Sequence, residues 1–159
     1  MGGDRSLGGI FMENALMQRQ ENTLNGVREE KKTKTFTTLD MSKEENVDLI
    51  LATQDECDYY IKDFVGKTIK TTGVFITERE VESVKEETGE VVKYNKHVTI
   101  LFDENGKSYV TGSNAFYMSL DLIMRVKGYP TEENPINFEI VEKDAREKGH
   151  KYLKVRIAK

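Results

Sequence analysis

Residues 68–84 read TIKTTGVFITEREVESV. The run is rich in β-branched residues, which suit a pleated and half-buried surface. Its alternation changes phase at Gly73, with Ile69 and Thr71 in one register and Val74 and Ile76 in the next. A glycine at such a shift marks a bulge that bends a long strand. The segment is therefore expected to be the first, curved strand of a sheet. Downstream, Glu86-Glu87-Thr88-Gly89 reads as a turn and 91–102 as a second strand. Asp103-Glu104-Asn105-Gly106 contains Asn-Gly, the strongest short hairpin signal, and leads into a third strand over 107–112. A helix opens at Ser113 or Asn114, places Phe116, Leu120, Ile123 and Met124 on one stripe, and stops at Gly128 and Pro130. Two cleanly alternating segments follow. Ile136, Phe138 and Ile140 form the apolar row of one, and Leu153, Val155 and Ile157 that of the other.

Three strands, a helix and two strands are the element order of an OB-fold, a five-stranded, partly open Greek-key barrel with its helix between strands 3 and 4. An α+β sheet crossed by one helix has the same order. The length and expected bulge of the first strand, and its long hairpin into the second, favour the barrel, so the chain is expected to be mainly β.

Upstream, Ser42 followed by Glu45 gives a capping-box signature, and a short helix is expected over 42–54. Tyr59, Tyr60, Ile61, Phe64 and Val65 then supply apolar material to close one end of the barrel. Residues 12–37 sustain no period and read as an extended arm, itself a candidate for self-association. The glycine-rich residues 1–11 precede a second methionine, Met12, and read as an appended leader. The domain expected from this is 38–159, with the arm over 1–37.

The chain has 159 residues, 33% of them charged and 37% hydrophobic, and a net charge of −4. That balance fits one soluble domain plus an arm, and no apolar run is long enough to span a membrane. A cytoplasmic location is expected. The single cysteine, Cys57, excludes an intramolecular disulfide and a cysteine-based metal cluster. The charge is unevenly spread. Residues 40–63 hold eight carboxylates against two lysines, whereas 143–159 hold seven Lys or Arg against two carboxylates. Phosphate binding needs that second kind of segment.

A barrel strand buries one alternation and offers the other to solvent. Burial of Val74 and Ile76 is expected to leave Phe75, Thr77 and Arg79 outside; burial of Val98 and Ile100, to expose His97 and Thr99; and burial of Val110, to expose Tyr109. Phe75 and Tyr109 are then candidates for stacking on bases. The last strand is expected to expose Tyr152, Lys154 and Arg156, and its preceding turn adds Arg146, Lys148, His150 and Lys151. Lys93, Tyr94 and Lys96 form a similar basic and aromatic group on the first hairpin. In OB-folds these two hairpins flank the binding groove.

The stretches DFVGKTIKTTGVF, ETGE, HVTILFDENGKSYVTGS, NAFYMSLDLIMRVKGYP and KYLKVRIAK, from about Ile61 to Lys159, resemble the single-stranded DNA-binding proteins of phages and conjugative elements in Gram-positive bacteria. The resemblance covers about two thirds of the chain and lies in pattern and short phrases. It implies an OB-fold that coats single-stranded DNA during replication or during conjugative transfer of a phage or plasmid, in the cytoplasm of a bacterial host. One departure is that the chain ends in a basic strand where many bacterial single-strand binders carry an acidic tail. A protein-interaction module on the same barrel and an RNA-binding OB-fold are the rival expectations. No Ser-His-Asp set, Cys-His pair, phosphate-cradling glycine loop or HExxH motif is present, so neither enzymatic activity nor a cofactor is expected.

Overall fold

Alternating residues become strands and periodic ones become helices in the computed structural model, which describes residues 33–146 and 149–159. In chain order the elements are β1 (Thr33–Thr37), α1 (Glu44–Thr53), β2 (Tyr59–Tyr60), a 3-10 turn (Ile61–Phe64), β3 (Thr68–Val84), β4 (Val91–Asp103), β5 (Ser108–Thr111), α2 (Asn114–Lys127), β6 (Ile136–Asp144) and β7 (Lys151–Ile157). The protein is mainly β. Among the described residues the strands form one mixed sheet in the order β2-β5-β4-β3-β6-β7, with β1 also paired to β3. The expected series of three strands, helix and two strands is present as β3, β4, β5, α2, β6 and β7. Closing it into a full barrel needs β5 to meet β7. In the sheet order, β5 is instead flanked by β4 and β2.

The described residues fall into two units. One contains 33–36 and Ile76–His97, the outer parts of β3 and β4 with the turn that joins them. There Lys85 N donates to Glu90 O and Gly89 N to Lys85 O, closing the expected ETGE turn. Of the arm expected through residue 37, only its end lies within the described residues. Thr33–Thr37 is a strand, whose threonines and phenylalanine suit an extended backbone; the rest of the arm lies outside the described residues.

The other unit holds Thr37–Phe75 and Val98–Lys159. Its turn at Asn105-Gly106 forms as expected. Gly106 takes φ +78, a left-handed conformation that favours glycine. The Asp103 carboxylate fixes this turn by accepting from Asn105 N and Lys107 N, each at 2.9 Å. α2 is capped by Ser113, whose Oγ accepts from Phe116 N at 3.1 Å, and it ends at Gly128. Phe116, Leu120 and Met124 are buried, the first two completely. The buried row Phe138, Ile140 and Val155 sits in an antiparallel β6–β7 ladder, and Ile69 and Thr71 of β3 are set opposite Phe138 and Ile136.

α1 forms two residues later than its expected start, and not through a capping box. Ser42 instead donates from Oγ and N to Asp40 Oδ1 at 2.6 and 3.0 Å, and Lys43 at the cap makes no side-chain capping bond to the helix. The helix and its flanks cover a sheet face. Ile50 joins Phe75, Ile100 and Phe102 in a buried cluster, with Leu39, Met41, Leu49, Cys57 and Val110 packed around it. Gly73 explains how closely this cover sits, because a Cβ there would collide with the Leu39 side chain. Gly73→Ala is therefore expected to destabilise the protein by about 1–3 kcal/mol, the usual cost of overpacking. Adding Leu39→Ala should return part of that loss. A urea-unfolding double-mutant cycle measures the coupling, and strictly additive effects would disprove the close approach.

Candidate nucleic-acid interface

The sequence-predicted stacking rings are not on an open face. Phe75 is 8% exposed and Tyr109 7%. Alternation correctly separates Val74 from Phe75, but α1 covers the face that receives Phe75, so both alternations of β3 are buried there. Tyr109 is covered differently. Its ring lies 5.0 Å from that of Tyr59 and 5.0 Å from that of Phe64, and its hydroxyl donates to Asp103 Oδ2 at 2.7 Å. Burial, aided by this bond to a carboxylate, pushes the Tyr109 hydroxyl well above its ordinary pKa, so it stays protonated as a donor. His97 and Thr99, also expected outside, are buried too, and His97 Nε2 lies 3.7 Å from Glu78 Oε1.

The remaining predicted residues divide between the units. In the first, Arg79, Lys93, Tyr94 and Lys96 are exposed as expected, and Lys93 Nζ approaches Glu82 at 4.0 Å. In the second, Arg146, Lys151, Tyr152 and Arg156 are exposed and Lys154 is half-buried. Val155 faces the core, so Tyr152, Lys154 and Arg156 share the opposite face of β7, set against Lys143, Val141 and Glu139 of β6. Arg156 is not a spare cation. It donates from Nε and Nη2 to the two Glu139 oxygens at 3.0 and 3.2 Å, which holds the Glu139 carboxyl below its usual range. Lys151 Nζ lies 4.0 Å from Glu142. Lys148 lies outside the described residues.

The structure also assembles an aromatic group that sequence reasoning placed only as barrel-end filler. β2 is two residues long and pairs in parallel with β5, Tyr59 opposite Tyr109 and Tyr60 opposite Val110. Asp58 locks this pairing, its carboxylate accepting from Ser108 N at 2.9 Å and from Ser108 Oγ at 3.2 Å, while Asp58 N donates back to Ser108 Oγ. The 3-10 turn then buries Ile61 completely and swings Phe64 against Tyr59, with ring centroids 5.3 Å apart at 66°. Tyr59 keeps 41% of its surface exposed and Tyr60 61%. Lys62 Nζ stands 5.6 Å from the centre of the Tyr60 ring, and Lys67 Nζ 5.6 Å from that of Phe64. These are cation–π distances. Asp58 and Asp103 are committed to structural bonds, and Asp58 and Asp63 are the exposed carboxylates of this segment. The signal in the sequence was the spacing Tyr-Tyr-Ile-Lys-Asp-Phe, where aromatic and basic residues interleave around one core isoleucine.

Cys57 is half-buried, and burial raises its thiol pKa, so the thiol stays protonated. Among the described residues no group of three His, Cys, Asp or Glu is placed to hold a metal ion, and no helix is long and apolar enough to cross a membrane. Comparison with protein-family models, curated proteins and solved structures finds no match.

Proposed function

We propose that this protein binds single-stranded DNA with little sequence preference, on an OB-type barrel, as the resemblance in its sequence implies. The observation that carries the proposal is the pair of open rings, Tyr59 and Tyr60, flanked by the ammonium groups of Lys62 and Lys67. Any base has a π-face, so a stack on tyrosine contributes roughly 1–3 kcal/mol per base whatever the sequence. The lysines supply what a ring cannot, charge for the phosphate chain between stacked bases. The row of exposed Tyr152 and half-buried Lys154 on β7, with exposed Lys143 opposite Tyr152, is a second place in the same unit where a ring and cations occur together. Support for the OB-type assignment comes from the element order and from β3, which pairs with both β4 and β6 as the first strand of that fold does. Coating DNA during replication or conjugative transfer is the role this proposal assigns.

The experiment is a mobility-shift titration with single-stranded and double-stranded DNA of one sequence, and with the matching RNA. Single-stranded DNA should bind tighter than the duplex, because paired bases offer no free faces. Its affinity should fall with salt at a log-log slope of about −0.7 per neutralised phosphate. Salt-independent binding, or equal affinity for the duplex, would overturn the proposal. Tighter binding to RNA would reassign the ligand.

A further inference from the structure

We propose that two copies of this chain associate through α2, packed antiparallel about a two-fold axis at Leu122. The observation is a stripe of large apolar side chains on the outer side of that helix. Met118 and Leu122 are each 62% exposed and Val126 80%. Their spacing of four residues puts all three on one face. The opposite face is already used, since Phe116, Leu120 and Met124 are buried in the core and Ser119 Oγ accepts from Val155 N of β7. The stripe is therefore not core material left slightly open. It is a second apolar face on a helix that needs only one. Large apolar side chains gathered on one exposed face, unlike single ones scattered over a surface, mark an interaction site.

A second copy of the chain is the occupant that fits the pattern. The three residues are symmetric about Leu122, so an antiparallel pairing sets Leu122 against its own copy and Met118 against Val126 of the other chain. Such a face is self-complementary, as a two-fold interface requires. The charges agree. Asp121 and Arg125 lie along one edge of the stripe, joined at 2.8 Å within the helix. Two-fold packing brings that edge against the same edge of the second copy, where each Arg125 reaches the other chain's Asp121. A purely acidic or purely basic partner would meet one of these two with like charge. A stable dimer buries roughly 800 Å² on each partner. The stripe supplies the apolar centre of such an interface, and Asn114, Asp121 and Arg125 supply a polar rim along one edge.

Sedimentation equilibrium of the full chain from micromolar to near-millimolar concentration tests this directly. The mass should rise with concentration from the monomer's 18.3 kDa toward twice that value. Leu122→Glu should raise the dissociation constant at least about tenfold, because it would bury an unpaired charge at the axis. Its circular dichroism and thermal midpoint should stay close to those of the unaltered protein, since Leu122 is mostly exposed in the monomer. Asp121→Arg should weaken the dimer, and combining it with Arg125→Asp should restore it. A monomeric mass at every concentration would overturn the proposal. So would a Leu122→Glu protein that dimerises as tightly as the original, which would move self-association to another surface. None of these outcomes depends on whether DNA binds.

Discussion

Replacing Tyr59 and Tyr60 together by alanine is expected to weaken binding to an oligothymidine strand by on the order of thirtyfold or more, because two stacking partners of roughly 1–3 kcal/mol each are lost. The two rings differ in what else they do. Tyr60 is the more exposed and touches little beyond Lys62, so Tyr60→Ala should lower affinity with the thermal midpoint unchanged. Tyr59 also covers Tyr109 and meets Phe64, so its removal should cost stability as well as affinity. Tyr60→Phe keeps the flat ring and should bind nearly normally. Removing Lys62 alone should act mainly through the salt slope. If the double variant is folded by circular dichroism and binds as well as the original protein, bases do not stack here.

Phe102→Ala should produce the largest loss of stability, about 3–5 kcal/mol, the range for emptying a large aromatic site in a core. Phe102 is 1% exposed and sits in the cluster that joins α1 to the sheet. Its absence would leave Ile50, Phe75 and Ile100 facing a void that the short α1 cannot collapse to fill. A domain of this kind has roughly 5–15 kcal/mol in total, so the variant should unfold at markedly lower urea. Hydrogen exchange should rise first in Glu44–Thr53, whose one buried apolar side chain is Ile50. A loss below about 1 kcal/mol would mean that α1 does not lean on this ring.

What could be read from the sequence was what repeats. The alternation in Ile136–Ile140 and Leu153–Ile157, the Asn-Gly turn, and the Ser113 and Gly128 limits of α2 each carry a local physical signal, and each formed where expected. Alternation tells which residues share a face. It is silent on what covers that face, and for this reason Phe75 and Tyr109 were misplaced although the strands holding them were found. Their covers are a helix whose apolar pattern is short and a two-residue strand with no period to detect. The basic residues of β7 were found, but their cross-strand carboxylates were not, because the partnership of Arg156 with Glu139 depends on a register that only the folded sheet defines.

The parallel seat of Tyr59–Tyr60 on β5 has a consequence for how the molecule behaves in a crowd. Endless stacking of sheets from molecule to molecule requires two unguarded margins, one to give and one to receive. Here the chain's own backbone occupies the β5 margin, fastened by Asp58 and Ser108. At β7, the Val155 amide is spent on Ser119. The margin that remains beyond β5 is the two-residue β2, which offers little backbone for a further chain, so growth from molecule to molecule by that route is disfavoured.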